Sequence, residues 1–316
     1  MDRSRKGHAV TKKDEKKTAE QGAKERTAED RTKQNQSAQL RDLLRIRGGK
    51  RVDLSSYDPA ATPAGPADKA AGLAATAQMG ERLADLQERL YAASAAGDRR
   101  RLLLVLQGMD TSGKGGTVKH VIGLFNPAGC RITAFKAPTP EERKHPFLWR
   151  VVRVTPEPGQ IGIFDRSHYE DVLIARVHEQ VPRPMLDQRY GEINNFEQVL
   201  AEDGTTVVKV FLHISYEKQR RRLLARLDNP KKHWKFNLSD IEERALWPDY
   251  QRAYEIALKR CSTKVAPWYL VPSDRKWYRN WAISKLLLEH LEALDPQYPE
   301  VDLDVEECRE RLLRSP

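Results

Sequence analysis

The chain has 316 residues, with 55 Lys and Arg against 45 Asp and Glu for a formal charge of +10, and 39% of its residues are hydrophobic. That is enough for one large α/β domain or two small ones with a full core, and the positive excess implies an anionic ligand without naming it. Three widely spaced cysteines, Cys130, Cys261 and Cys308, support neither a disulfide framework nor a zinc cluster. No apolar run approaches the roughly 20 residues of a membrane span, and the Lys-rich N-terminus lacks the apolar stretch of a signal peptide. The sequence therefore reads as cytoplasmic, with no membrane partner.

Residues 1–50 hold fifteen Lys and Arg against eight Asp and Glu, with hardly a large apolar side chain before Leu40. Such a segment cannot offset its ordering entropy by burial. Residues 1–52 are expected to be a solvated basic tail, the alternative being a tether for a polyanion, and the Ala, Pro and Gly of 53–72 to be a linker.

From there strands and helices alternate, the pattern of a parallel sheet covered on both faces. A helix is expected over about 76–95, then the continuously apolar strand Arg101–Leu106, typical of a strand buried on both faces. A Gly-rich turn over 108–116 leads into a helix to Leu124, and a second strand spans Cys130–Lys136. Thr139-Pro-Glu-Glu142 and Ser167-His-Tyr-Glu170 both read as capping boxes opening helices, and the strand Ile161–Phe164 lies between them. A helix over 187–202, the strand Val207–Ile214, a basic helix Tyr216–Leu227, a helix Ser239–Cys261, the strand Trp268–Val271 and a helix Arg275–Leu294 complete a domain over 73–296. Residues 297–316 form an extension.

Gly108-Met-Asp-Thr-Ser-Gly113-Lys114 has GxxxxGK spacing between an apolar strand and a helix. The chemistry asks for these residues. Glycines such as Gly108, Gly113, Gly115 and Gly116 let backbone N–H groups face phosphate oxygens, the helix N-terminus adds a favourable dipole, and Lys114 bridges the terminal phosphates. Gly115 stands where Ser or Thr commonly offers magnesium a hydroxyl, so the metal needs another ligand, and Asp110 inside the loop is the nearest carboxylate. The alternative for Asp110 is to stabilise the turn. Asp165 ends an apolar strand about fifty residues after Lys114, where P-loop proteins keep the aspartate that holds Mg²⁺. Arg166 follows it and could neutralise charge on a transferring phosphoryl group, or form a surface ion pair.

Four ordered stretches resemble one family. They are Gly108 to Gly116, Lys136-Ala-Pro-Thr139 with His145-Pro-Phe-Leu-Trp-Arg150, Phe164-Asp-Arg-Ser-His-Tyr-Glu170, and Arg226-Leu-Asp-Asn-Pro-Lys-Lys-His-Trp-Lys235. Over residues 72–294 the chain is similar to the polyphosphate kinase 2 family, closest to its third class, whose members act on AMP and ADP. The resemblance implies a three-layer, thymidylate-kinase-like α/β fold with a mostly parallel sheet and a basic helical lid. It also implies dependence on Mg²⁺, with Mn²⁺ as a substitute, inorganic polyphosphate as donor, and a nucleoside mono- or diphosphate as acceptor. It assigns Asp110 and Asp165 to metal and phosphate positioning, Lys114 to the loop phosphates and Arg166 to the transferring group, with Arg150 and Arg176 as further phosphate or nucleotide contacts. A homo-oligomer stays open.

Residues 218–235 hold eight Lys and Arg against the single acid Asp228. Lys218, Arg222 and Arg226, spaced by four, share a helix face, and the Asn229-Pro230 turn would fold Lys231, Lys232 and Lys235 over the phosphate loop. With Lys276 and Arg279 they form a track suited to a linear polyanion, and the lid is placed at about 216–240. The bland reading of such a face is plain solvation. Phe147, Trp149, Trp234 and Phe236 are read as core, and His145, His168 and His213 lack metal-ligand spacing. Two rivals remain: a P-loop kinase that uses ATP, and a basic P-loop protein that binds nucleic acid, the latter without a recognised nucleic-acid motif.

Overall fold

The computed structural model describes residues 39–315, so residues 1–38 of the expected basic tail lie outside the described residues. After a short helix α1 (Leu40–Leu44), the elements are α2 (Lys69–Ala95), β1 (Arg101–Gln107), α3 (Lys114–His120), β2 (Cys130–Ala134), α4 (Trp149–Val152), β3 (Ile161–Asp165), α5 (Glu170–Val177) and α6 (Arg183–Glu202). They continue as β4 (Thr205–His213), α7 (Tyr216–Leu227), α8 (Ser239–Ala245), α9 (Trp247–Cys261), β5 (Trp268–Pro272), α10 (Lys276–Leu294) and α11 (Val305–Arg314). The five strands run parallel in the order β2-β3-β1-β4-β5.

All seven residues of β1 are buried, as its uninterrupted apolar run requires for a central strand covered on both faces. Because side chains alternate, Leu103 and Val105 join a core with Phe164, Val172, Ile193, Phe211 and Ala257, beneath α5, α6 and α9. Leu102, Leu104 and Leu106, also buried, face the layer of α2 and α10. This is the expected three-layer α/β arrangement. The loops after β1 and β3 emerge side by side at the carboxyl edge, the edge where such sheets bind ligands. Among the described residues no helix is long and apolar enough to cross a membrane.

The structure departs from the sequence reading in several places. Residues 44–66, read as the end of a tail and a linker, run across the domain as a strap. Ile46, Val52 and Leu54 are buried in the core. Leu54 N donates to Glu255 Oε1 at 3.0 Å, His213 Nε2 to Tyr57 O at 3.0 Å, and Tyr278 OH to Pro63 O at 2.9 Å. Three apolar residues among charges and prolines make too short a pattern to reveal this from composition. The expected helix 239–261 is two helices that part at Leu246, because Pro248 can sit only in the first turn of α9. The Thr139 and Glu142 capping box forms, with Glu142 N donating to Thr139 Oγ1 at 3.2 Å and Thr139 N to Glu142 Oε2 at 2.7 Å, but it opens only a 3₁₀ turn. The Ser167 box does not form. Ser167 Oγ instead accepts from Tyr169 N and from Gln107 Nε2, and Glu170 turns toward the site.

Candidate active site

The loop between β1 and α3 is tightened by two left-handed residues, Thr111 at φ 61° and Gly113 at φ 121°. At Gly113 that backbone suits glycine. Lys114 Nζ folds back onto Gly108 O at 2.7 Å. Beside it opens a cavity of about 380 Å³ lined by Gly108, Asp110, Lys114, Arg166, Glu170 and Asp240 among others.

Asp165 ends β3 in register with Leu106 of β1. Its carboxylate accepts no hydrogen bond from any described residue. The next residue, Arg166, takes a left-handed backbone at φ 65°. That turns its half-exposed guanidinium toward the loop, with Nη2 3.4 Å from Asp110 Oδ1. Three carboxyls meet here. Burial raises the Glu170 and Asp240 carboxyls above the usual range, and the negative charge of Asp110 adds to both, while Arg166 opposes the shift in each.

This arrangement fits a divalent cation. Asp110 inside the loop and Asp165 at the end of the neighbouring strand β3, although outside the cavity lining, have oxygens to offer, Gly115 supplies no hydroxyl, and the described residues contain no cluster of three His, Cys, Asp or Glu able to enclose a metal. Magnesium is commonly held in this way, by one or two carboxylates together with phosphate oxygens and water.

Outside the cavity lining, cations brace the phosphate loop itself. Arg222 Nη1 donates to Thr111 O at 2.7 Å and Ser112 O at 3.0 Å, and its Nη2 donates to Ser273 O at 2.6 Å. Arg279, only 2% exposed, lies against Gly113 and Gly116 and reaches Ser112 O at 3.4 Å. Burial and the neighbouring Arg222 push the Arg279 guanidinium down to about 10. The Lys276 ammonium is also lowered, first by burial and then by Arg222, Arg279, Lys232 and Lys218. Five cations from α7, the turn after it and α10 thus converge beside the phosphate loop.

Not every expected residue reaches the site. Arg150 is buried in a brace, with Nη1 on Lys136 O at 2.9 Å and Nη2 on Asp171 Oδ2 at 3.2 Å. Arg176, at the far end of α5, bonds Tyr190 OH at 3.3 Å. Neither lines the cavity. Arg222 and Arg279, expected on a polyanion track, hold the loop backbone instead, and Arg226 binds Lys235 O at 3.0 Å and Asp240. Lys231 and Lys235 are exposed.

Trp234, read as core, is 79% exposed with Lys235 over its ring, and Trp149 stacks on His145. The sequence reading missed Glu170, Gln219, Asp240, Glu243 and Tyr250 as cavity residues. Glu170 was hidden by its fit to a capping pattern. Asp240 and Glu243 lie on α8, whose break from α9 was the only available signal.

Residues 67–299 match the family model described as polyphosphate kinase 2. An AMP/ADP-polyphosphate phosphotransferase of Meiothermus ruber is 47% identical over 256 residues, 81% of this chain and 94% of that protein. An ADP-polyphosphate phosphotransferase of Rhodopseudomonas palustris is 42% identical, covering 81% of this chain and 91% of the other. The crystal structure of polyphosphate kinase 2 from Arthrobacter aurescens TC1 superposes with a TM-score of 0.85 at 48% identity, covering 88% of this chain and 98% of that one. A family model matched over residues 67–299 and relatives this similar over most of their length show that the chain belongs to the polyphosphate kinase 2 family.

Proposed function

We propose that this enzyme transfers the terminal phosphoryl group of inorganic polyphosphate to AMP and to ADP, giving ADP and ATP. The observation that carries the reading is that Lys218, Lys232 and Lys276 gather around Arg222 and Arg279, the two cations that brace the phosphate loop, with the Lys276 ammonium lowered first by burial and then by the other four. Cations placed this close repel one another, and a chain of phosphates relieves that repulsion.

In the reaction an oxygen of the acceptor's terminal phosphate forms a bond to the terminal phosphorus of the polymer. The bond from that phosphorus to its bridging oxygen breaks, and the shortened polymer leaves as an oxyanion. Lys114 leaves Gly108 O to hold the phosphates, and Arg166 balances negative charge on the transferring group. Arg222 and Arg279 keep the loop carbonyls turned away, so that its N–H groups face the phosphates. Mg²⁺, or Mn²⁺ in its place, would be held by Asp110 and Asp165 and when bound neutralises and orients phosphate oxygens. Residues 73–296 form the catalytic domain in this reading, with residues 216–240 as the lid over the polymer. A cytoplasmic location belongs to the same proposal, since nucleoside phosphates are held there and the three cysteines are unpaired.

Incubation of the enzyme with polyphosphate, Mg²⁺ and one of AMP, ADP, GMP or GDP, with the products resolved by charge, tests the reading. ADP and then ATP should form from AMP. Turnover that needs ATP and ignores polyphosphate would favour the P-loop kinase alternative.

A further inference from the structure

Behind the turn that carries Asp165 and Arg166 lies a closed ionic cluster that the reaction does not touch. The run Val207-Val208-Lys209-Val210-Phe211 places a lysine in the middle of the buried strand β4. Lys209 is fully buried, as are Glu197 on α6 and the turn residues His168 and Tyr169.

Their hydrogen bonds nearly close. Lys209 uses all three N–H donors: Glu197 Oε2 at 2.5 Å, Tyr169 OH at 2.8 Å and Cys261 O at 2.6 Å. Glu197 Oε1 accepts the Tyr169 hydroxyl proton at 2.8 Å and lies 3.3 Å from His168 Nε2, which assigns that ring nitrogen the proton. His168 Nδ1 alone is left without a partner.

A buried ion pair generally gives no more stability than apolar side chains of the same volume. Stability is therefore a poor reason for a lysine in this strand, and the neighbours of the cluster supply a better one. Arg166 holds a left-handed backbone at φ 65°, which an arginine keeps only where its surroundings impose it. On the N-terminal side the constraint is the sheet, with Phe135 N on Asp165 O at 3.0 Å and Arg166 N on Leu106 O at 3.1 Å. On the C-terminal side the next three residues are all held by their side chains. Ser167 is held by Gln107 at 3.0 Å, and His168 and Tyr169 are held by Glu197 and Lys209.

We propose that Glu197 and Lys209 are positioning residues for Arg166, acting through His168 and Tyr169 to hold the left-handed turn that aims its guanidinium at Asp110 and the transferring phosphate. The inference rests on the role given to Arg166 above, and a double-mutant cycle separates the two ideas.

Tyr169→Phe deletes one hydroxyl and leaves the volume unchanged, so the packing survives. It should lower kcat about tenfold while both KM values stay within about twofold, the pattern of an interaction lost only in the transition state. In an Arg166→Ala background the same change should alter kcat less than twofold. Glu197→Gln carries the same cycle if Tyr169→Phe melts below the assay temperature.

A folded Tyr169→Phe enzyme with native kcat would overturn the proposal, as would an equal tenfold loss with and without Arg166. If Arg166→Ala alone keeps native kcat, the role of Arg166 fails first and the positioning idea fails with it.

Discussion

The guanidinium of Arg279 occupies the space that a Cβ on Gly113 would take. The phosphate loop is thus shaped from outside, by a buried cation of the last long helix as well as by its own glycines. Gly116 shares the relationship less closely, its Cβ position lying 2.8 Å from Arg279 Nη2, and a Cβ at Gly115 would meet nothing within 4 Å.

Alanine at these three positions should therefore give graded effects. Gly113→Ala meets both a left-handed backbone and a guanidinium with nowhere to go, and should lower kcat/KM by ~10² or more, since small displacements of reacting groups have effects of that order. Gly116→Ala moves the end of one side chain and should lower it by less than about tenfold. Gly115→Ala should be neutral. Steady-state turnover of the three variants checks the order, and a strong defect at Gly115 alone would contradict it.

Lys114→Ala and Asp165→Asn should each reduce phosphoryl transfer by ~10² or more, because each removes charge stabilisation at the reacting phosphates. Both side chains touch solvent or loop rather than core, so thermal melts should stay near that of the unchanged enzyme. EDTA should stop turnover and Mg²⁺ restore it.

Lys231 and Lys232 lie on the exposed turn after α7, whereas Arg222 is bound to loop carbonyls. Replacing both lysines by Ala should raise the KM for polyphosphate and flatten its salt dependence, since fewer counterions are released, with the nucleotide KM nearly unchanged. Arg222→Ala should mainly lower kcat, through the loop. If the lysine pair instead controls nucleotide KM, the lid belongs to the acceptor.

The lowered Lys276 ammonium gives a pH dependence with a definite sign. Bound polyphosphate favours the charged form, so affinity should fall as pH rises through the depressed range, below that of ordinary lysines. Stability moves the other way at this group. Its charge disfavours the folded state below the depressed value, and neutralisation removes that penalty. The KM for polyphosphate, measured against pH in Lys276→Met and the unchanged enzyme, should lose its alkaline rise in the variant.

A chain beginning at Ala67, without the strap, should be less stable. Such a chain lacks Ile46, Val52 and Leu54, each worth about 2 kcal/mol of burial. Its melting temperature should fall by well over 10 °C, and calorimetry of the two forms decides it.

The fold was legible where local chemistry and tertiary context agree. Five consecutive apolar residues in β1, a phosphate loop after it and an aspartate ending β3 are dictated by the chain itself. Residues whose partners are distant in sequence were not legible. Arg222 and Arg279 look like members of a solvated basic face until the loop carbonyls of Thr111 and Ser112 are brought to them. Arg150 matches a motif, yet its donors are taken by Lys136 O and Asp171. The strap was missed because the groups that hold it, Glu255, His213 and Tyr278, lie more than 150 residues away.

The central claim is tested most directly by a single-turnover reaction with polyphosphate labelled in its phosphorus, AMP and Mg²⁺, and no ATP. The account predicts label in the β-phosphate of ADP and then in the γ-phosphate of ATP, with loss of both in Lys114→Ala. Unlabelled nucleotide beside intact polyphosphate, from an enzyme that phosphorylates AMP only when ATP is supplied, would contradict it.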